Sequence, residues 1–268
     1  MAEHIEDKTT LIVTGVARSG TTALGELLNA HPLVGLGIER FKFQFLREDN
    51  FSADLFTRER FFDFRPEDTN LIPELRPAWA PTYETIAEKW DSARVIGDKV
   101  PDLIPVLHRF FEENPGFRYI SILRNLKDVG LSWQTRADKP RDAWPAGKGF
   151  VAACESWAEQ MGILHDMLRD RKMREKVLLL DYDSMYDDPE MTEAALLAFL
   201  DLPEDESFSE VLRSHAEFAM SREPRKVPKK FAEEYRAVEQ GHIRGLRKVA
   251  REQAEIWSAR YGVSPGAL

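Results

Sequence analysis

"TLIVTGVARSGTTALGELLNAHP", residues 10–32, decides the fold. Leu11-Ile12-Val13 is a short apolar run of the kind that makes a buried strand. Gly15 and Gly20 follow, with Arg18, Ser19, Thr21 and Thr22 around the second. Ala23-Leu24-Gly25-Glu26-Leu27-Leu28 then takes up a helical period that His31-Pro32 stops. A strand, a glycine-rich turn and a helix in that order aim backbone N–H groups and the positive end of a helix dipole at one spot, which attracts phosphate. Against the nucleotide-binding consensus G-x-x-x-x-G-K-[ST], both glycines are kept but Thr21 stands where the lysine belongs. Triphosphate chemistry thereby loses its main cation, while Arg18, Ser19, Gly20, Thr21 and Thr22 can still grip a 5′-phosphate.

Short β-rich runs continue to alternate with longer helical stretches. Strands are expected at Leu11 to Thr14, Val34 to Gly37, Arg94 to Ile96, Tyr119 to Leu123 and Val177 to Leu180. Helices are expected at Thr22 to Ala30, Ile104 to Glu113, Leu126 to Thr135, Phe150 to Arg171, Pro189 to Leu200 and Gly241 to Tyr261. This alternation predicts a three-layer α/β fold, a mainly parallel sheet flanked by helices, of the P-loop nucleotide-kinase type. Residues 1–268 are expected to form one domain, with no repeat or linker dividing it. Residues 40–93, rich in Phe, Pro and charge, read as an irregular helical insertion, either a cover for a substrate site or a scaffold excursion. Residues 203–268 read as a C-terminal helical segment.

A chain of 268 residues with 43% hydrophobic content can bury a substantial core, and its formal charge of -9 argues against a partner that is a nucleic acid polymer or an anionic membrane. Any anionic ligand therefore needs a local basic pocket. One cysteine, Cys154, excludes an intrachain disulfide, and no Cys/His spacing suits zinc. MAEHIEDKTT lacks a basic stretch leading into an apolar one, and no run of about 18 apolar residues occurs. The expectation is a cytoplasmic protein without integral membrane association.

The opening stretch resembles the 5′-phosphosulfate-binding segment of sulfotransferases that use 3′-phosphoadenosine 5′-phosphosulfate (PAPS), whose bacterial and carbohydrate-acting members carry a loop of the form R-S-G-T-T. That resemblance implies PAPS as co-substrate, adenosine 3′,5′-bisphosphate (PAP) as product, no metal, and Arg18 as a binding and catalytic cation. "FRYISILRNLKDVGLSW", residues 117–133, resembles the family's 3′-phosphate segment, implying that Arg124 and Ser132 hold that phosphate. An arginine fork and a hydroxyl further along a helix suit the oxygens of a phosphate. Asn125-Leu126 departs from the family's common Asp-Pro. "IGDKVPDL", residues 96–103, resembles G-D-K-[ST]-P and implies that Lys99 stabilises charge at the transferring sulfonate or the bridging oxygen, with Val100 replacing the expected hydroxyl. Asp98 either orients Lys99 or is a second acid/base candidate.

A hydroxyl acceptor has to lose its proton as it attacks sulfur, so a base is required within hydrogen-bond reach. "HPLVGLGIERFKFQF" resembles the family stretch whose glutamate does this, which makes Glu39 the first candidate and leaves His31, His108 and Asp98 as others. "SREPRKVPKK", residues 221–230, reads either as a contact to donor or acceptor or as a solvated charge run. The function expected is sulfonate transfer from PAPS to a small-molecule or carbohydrate hydroxyl, with a natural-product hydroxyl also open. Two alternatives stand beside it. One is a P-loop kinase or NTPase, supported by Asp181 at the end of an apolar strand like a magnesium-holding Walker B aspartate; the other is a nucleotide-binding protein without catalysis.

Overall fold

The computed structural model describes residues 8–74, 76–141, 143–238 and 240–262; the extreme ends of the expected single domain, 1–7 and 263–268, lie outside the described residues. In chain order the elements are β1 (Thr9–Thr14), α1 (Thr21–Ala30), β2 (Val34–Ile38), α2 (Lys42–Leu46), α3 (Arg58–Phe62), α4 (Ala80–Lys89), β3 (Val95–Lys99), α5 (Leu107–Glu113), β4 (Arg118–Leu123) and α6 (Leu126–Ala137). They continue with α7 (Phe150–Met167), α8 (Arg171–Lys176), β5 (Val177–Asp181), α9 (Pro189–Leu200), α10 (Glu206–Met220), α11 (Ala232–Ala237) and α12 (Gly241–Arg260).

All four strand pairings are parallel and the order is β2-β3-β1-β4-β5. This is a five-stranded parallel sheet with helices on both faces. Strand alternation divides the apolar residues between two cores. Ile12, Ile96, Tyr119 and Leu179 face the side packed by α5, α6 and α7. Leu11, Val13, Ile120, Ile122 and Leu178 face the side packed by α1, α9 and α10. Because β1 sits in the middle of the sheet, the loop after it emerges between the ends of β3 and β4.

Helix ends follow local chemistry. The Asn125 side chain accepts from the Asp128 N–H and caps α6, so the Asn-Leu pair that replaces Asp-Pro still starts a helix. The expected helix from Phe150 to Arg171 ends at Met167, and Asp170 caps a separate α8 by accepting from the Lys172 N–H. Ile104-Pro105-Val106 forms a 3₁₀ turn before α5, with Pro105 in the first turn, where no N–H donor is required. Helix α10, capped by Asp205 and burying Phe208, Leu212 and Ala216, falls within residues 203–268, expected to be helical, and adds to the one helix bounded there at Gly241 to Tyr261. Among the described residues no helix is long and apolar enough to cross a membrane.

Candidate active site

The carboxyl ends of all five strands meet one cleft of about 1590 Å³. Each strand delivers a polar residue there: β1 the glycine loop, β2 Glu39, β3 Lys99, β4 Arg124 and β5 Tyr182. Ligand sites in parallel α/β sheets lie at this edge because the strand-to-helix turns converge on it.

The loop is held in an unusual backbone shape. Arg18 has φ 73, and Gly20, just before α1, has φ 105. A Cβ on Gly20 would lie 2.5 Å from the Tyr182 ring, so both space and backbone require glycine there. Two braces fix the loop from outside. Asp102 accepts from the Ala17 N–H at 2.8 Å and from Gln160 at 3.0 Å, while the Trp133 indole donates to the Ala17 carbonyl at 2.8 Å. Asp102 and Trp133 carry no motif signal of their own, although they lie within residues 96–103 and 117–133.

Arg18, Arg124 and Ser132, predicted to share a ligand, do come together. Arg18 Nε donates to Ser132 Oγ at 3.1 Å, and Arg124 Nη1 donates to the Arg18 carbonyl at 3.2 Å. The Arg124 guanidinium stacks 4.3 Å above the Tyr182 ring, and its Nε is buried with no hydrogen-bond partner. Arg222 donates to the Tyr182 hydroxyl at 3.1 Å, and Arg225 pairs with Asp128 at 3.3 Å. The basic segment after α10 therefore contributes two of its five cations to the cleft, whereas Lys226, Lys229 and Lys230 do not line it.

Across the loop, Lys99 Nζ donates to Thr22 Oγ1 and to Glu39 Oε1, each at 3.3 Å, and Lys42 Nζ donates to Glu39 Oε2 at 2.7 Å. A cation from the neighbouring strand thus reaches the loop that lacks its own lysine. Burial works to raise the Glu39 carboxyl, but the Lys99 and Lys42 ammonium groups outweigh it and hold it below the ordinary glutamate range. Burial lowers Lys99, with Glu39 and then Asp98 opposing.

The other base candidates lie elsewhere. Asp98 is buried with its carboxylate turned to the Glu39-Arg40 corner, where it accepts from the Arg40 N–H at 3.0 Å and the Phe41 N–H at 2.8 Å. His31 is buried; its Nδ1 accepts from the Leu33 N–H and its Nε2 faces the Pro203 carbonyl at 3.0 Å. His108 is exposed on α5 and does not line the cleft.

Asp181, the Walker B candidate, is ion-paired with Arg247 at 3.2 Å, as is Asp183 at 2.6 Å, and Asp181 does not line the cleft. Among the described residues no group of three or more His, Cys, Asp or Glu side chains is arranged to hold a metal ion. The orphaned Arg124 Nε, the adjacent Ser132 hydroxyl and the N-terminus of α1 suit a ligand with two separate anionic ends, such as PAPS.

A family model described as "Sulfotransferase family" matches residues 10–206, and no curated protein matches the chain. Several solved structures are similar to it. The sulfotransferase domain from the curacin biosynthetic pathway is 15% identical, with a TM-score of 0.50, covering 91% of this chain and 97% of that one. The sulfotransferase domain from the Synechococcus PCC 7002 olefin synthase is 18% identical, with a TM-score of 0.45, covering 96% and 98%. Mouse sulfotransferase SULT7A1 complexed with PAP is 15% identical, with a TM-score of 0.43, covering 92% and 84%.

Proposed function

We propose, because this chain belongs to the sulfotransferase family, that it moves a sulfonate from PAPS to an acceptor hydroxyl by in-line displacement, with the whole chain acting as one catalytic domain. The observation that carries the donor assignment is the buried, unpartnered Nε of Arg124 beside the glycine loop. A buried guanidinium nitrogen without an acceptor costs stability, and a phosphate oxygen supplies what it lacks. In this reading Arg124 and Ser132 bind the 3′-phosphate. The N–H groups at Gly20, Thr21 and Thr22, with Arg18 and the Ser19 hydroxyl, bind the 5′ end.

Glu39 takes the proton of the acceptor hydroxyl as that oxygen bonds to sulfur. Held below the ordinary glutamate range by Lys99 and Lys42, it is ionised at neutral pH and able to accept that proton. Lys99 meets the negative charge collecting on the bridging oxygen as the sulfur–oxygen bond to the phosphate breaks and its electron pair leaves with PAP. The rest of the rate comes from holding the two reactants in line. The acceptor is a carbohydrate or natural-product hydroxyl. A kinase reading is disfavoured by Thr21 in place of the lysine and by the engagement of Asp181 with Arg247.

Calorimetric titration with PAP, ADP and ATP, each with magnesium and with EDTA, tests the donor assignment. Tight binding of PAP that is indifferent to the metal is expected. Arg124→Ala should weaken PAP by about 10- to 100-fold, the value of a charged hydrogen-bond pair, and leave the nucleotide without a 3′-phosphate nearly unaffected. ATP preferred in magnesium, or equal losses for both nucleotides, would remove the assignment.

A further inference from the structure

The chain is acidic overall, yet twelve Lys and Arg side chains against six Asp and Glu line the cleft. The donor reading above absorbs only some of those cations. Arg18, Arg124, Arg222 and Arg225 stand at the glycine-loop end, and Lys42 and Lys99 are committed to Glu39. Four more come from two segments outside the donor motifs. Arg47 and Arg76 belong to the insertion between β2 and β3, and Arg141 and Lys148 to the connection between α6 and α7. None of the four has an ion-pair partner among the described residues. Of the acidic residues lining the cleft, only Glu39 comes from either segment, and it is engaged by its two lysines.

The same walls carry apolar and aromatic surface. The Arg47 guanidinium lies 3.5 Å above the Phe43 ring, so its fork is spread flat over a hydrophobic platform. Trp144 packs edge-on against Trp133 at 5.0 Å and donates to the Lys148 carbonyl at 2.7 Å, which fixes the opposite wall. Leu46, Leu71 and Trp79 complete the apolar lining from the insertion. Unpaired like charges gathered on two walls of one cleft repel each other and lower stability, and an anion entering between them relieves that cost.

Building on the sulfotransfer reading, we propose that the acceptor is itself an organic anion: a hydroxyl-bearing molecule with an apolar body and a phosphate or carboxylate group, which Arg47, Arg76, Arg141 and Lys148 recognise. The formal charge of the whole chain would repel such a molecule at long range, but once at the cleft mouth the local field attracts it.

The test uses the full chain saturated with PAP and three probes below their micelle-forming concentrations: octyl phosphate, octanoate and octyl glucoside. Calorimetry should show at least one of the two anions binding about ten-fold or more tightly than the neutral glucoside, and losing that advantage as salt is raised. Which anion binds better separates a phosphate from a carboxylate acceptor. In an Arg47→Ala/Arg76→Ala/Arg141→Ala variant the advantage should vanish while PAP still titrates as in the parent, which shows that the variant is folded. Equal affinity for charged and neutral probes, no saturable binding of either anion, or an advantage undiminished in the variant would overturn the proposal. Failure of PAP to bind would instead remove the donor reading, and the same probes would then be titrated into the chain without it.

Discussion

Glu39 occupies the left-handed backbone region, at φ 54, where a residue with a side chain is costly by roughly 1–3 kcal/mol. Arg18 and Asp102, at φ 73 and 62, share that region and line the same cleft. Three such residues around one site mark it as shaped for something other than stability. At Glu39 the strained turn points the carboxylate at Lys99 and Lys42 rather than at solvent. Glu39→Gln keeps the shape and removes the proposed base, so turnover should fall about 10²- to 10⁴-fold while PAP binding persists. Steady-state rates alongside a PAP titration check this, and an undiminished rate would take the base assignment away from Glu39. On the alkaline side, activity should fall as pH rises through a Lys99 pKa that burial holds below its ordinary 10.5, because the charge it supplies is then lost.

At the level of elements, β3 does two jobs with adjacent residues. Lys99 faces the loop, and Asp98, on the opposite face, gathers the Arg40 and Phe41 N–H groups into the corner that carries Glu39. The motif that drew attention to both residues does not reveal this division of labour, since strand alternation assigns opposite faces but not which face meets the ligand. Burial pushes the Asp98 carboxyl up to about 6, although the Phe41 and Arg40 N–H groups pull it down. Protonation below that pH turns one oxygen into a donor facing an N–H group and loosens the corner. Activity should therefore drop as pH falls through about 6, well above the range in which Glu39 itself is protonated. Asp98→Asn presents the same mismatch at every pH. Its rate at pH 7 should match that of the parent below pH 6, roughly ten-fold down, and its profile should run flat through that window. A limb near pH 6 that survives in Asp98→Asn would assign it to another group.

For the molecule as a whole, the five strands were legible because buried parallel strands read as apolar runs, and the loop, Arg124, Ser132, Glu39 and Lys99 stood out as candidates through the motifs that hold them, with Glu39, Lys99 and Arg124 at a strand end and Ser132 on the helix after one. Contacts between distant segments were not. Tyr182 stands in none of the motifs that point to chemistry, and its place between Arg124 and Arg222 follows only from where β5 falls in the sheet order. The pairing of Arg40 with Asp68 was equally invisible, because nothing in a sequence says which of many charges is buried. Both side chains are fully buried. Arg40 donates to Asp68 at 2.7 Å and to the Phe61 and Asp63 carbonyls at 2.8 and 2.7 Å, and it lies between the Phe41 and Phe64 rings. Arg60 pairs with the same carboxylate. This cluster ties residues 58–68 to the residue next to Glu39. Asp68→Ala leaves the Arg40 charge buried without its counter-ion and should cost about 3–5 kcal/mol, a fall in Tm of roughly 10 °C for a chain of this size. Asp91→Ala breaks the exposed pair with Arg58 and should cost under about 1 kcal/mol. Thermal unfolding of the two variants side by side decides the point: similar small losses would show that the buried cluster does not hold the insertion. A large loss at Asp68 alone, with turnover falling even where the variant remains folded, would show that the insertion sets the position of the catalytic corner as well as the walls of the cleft.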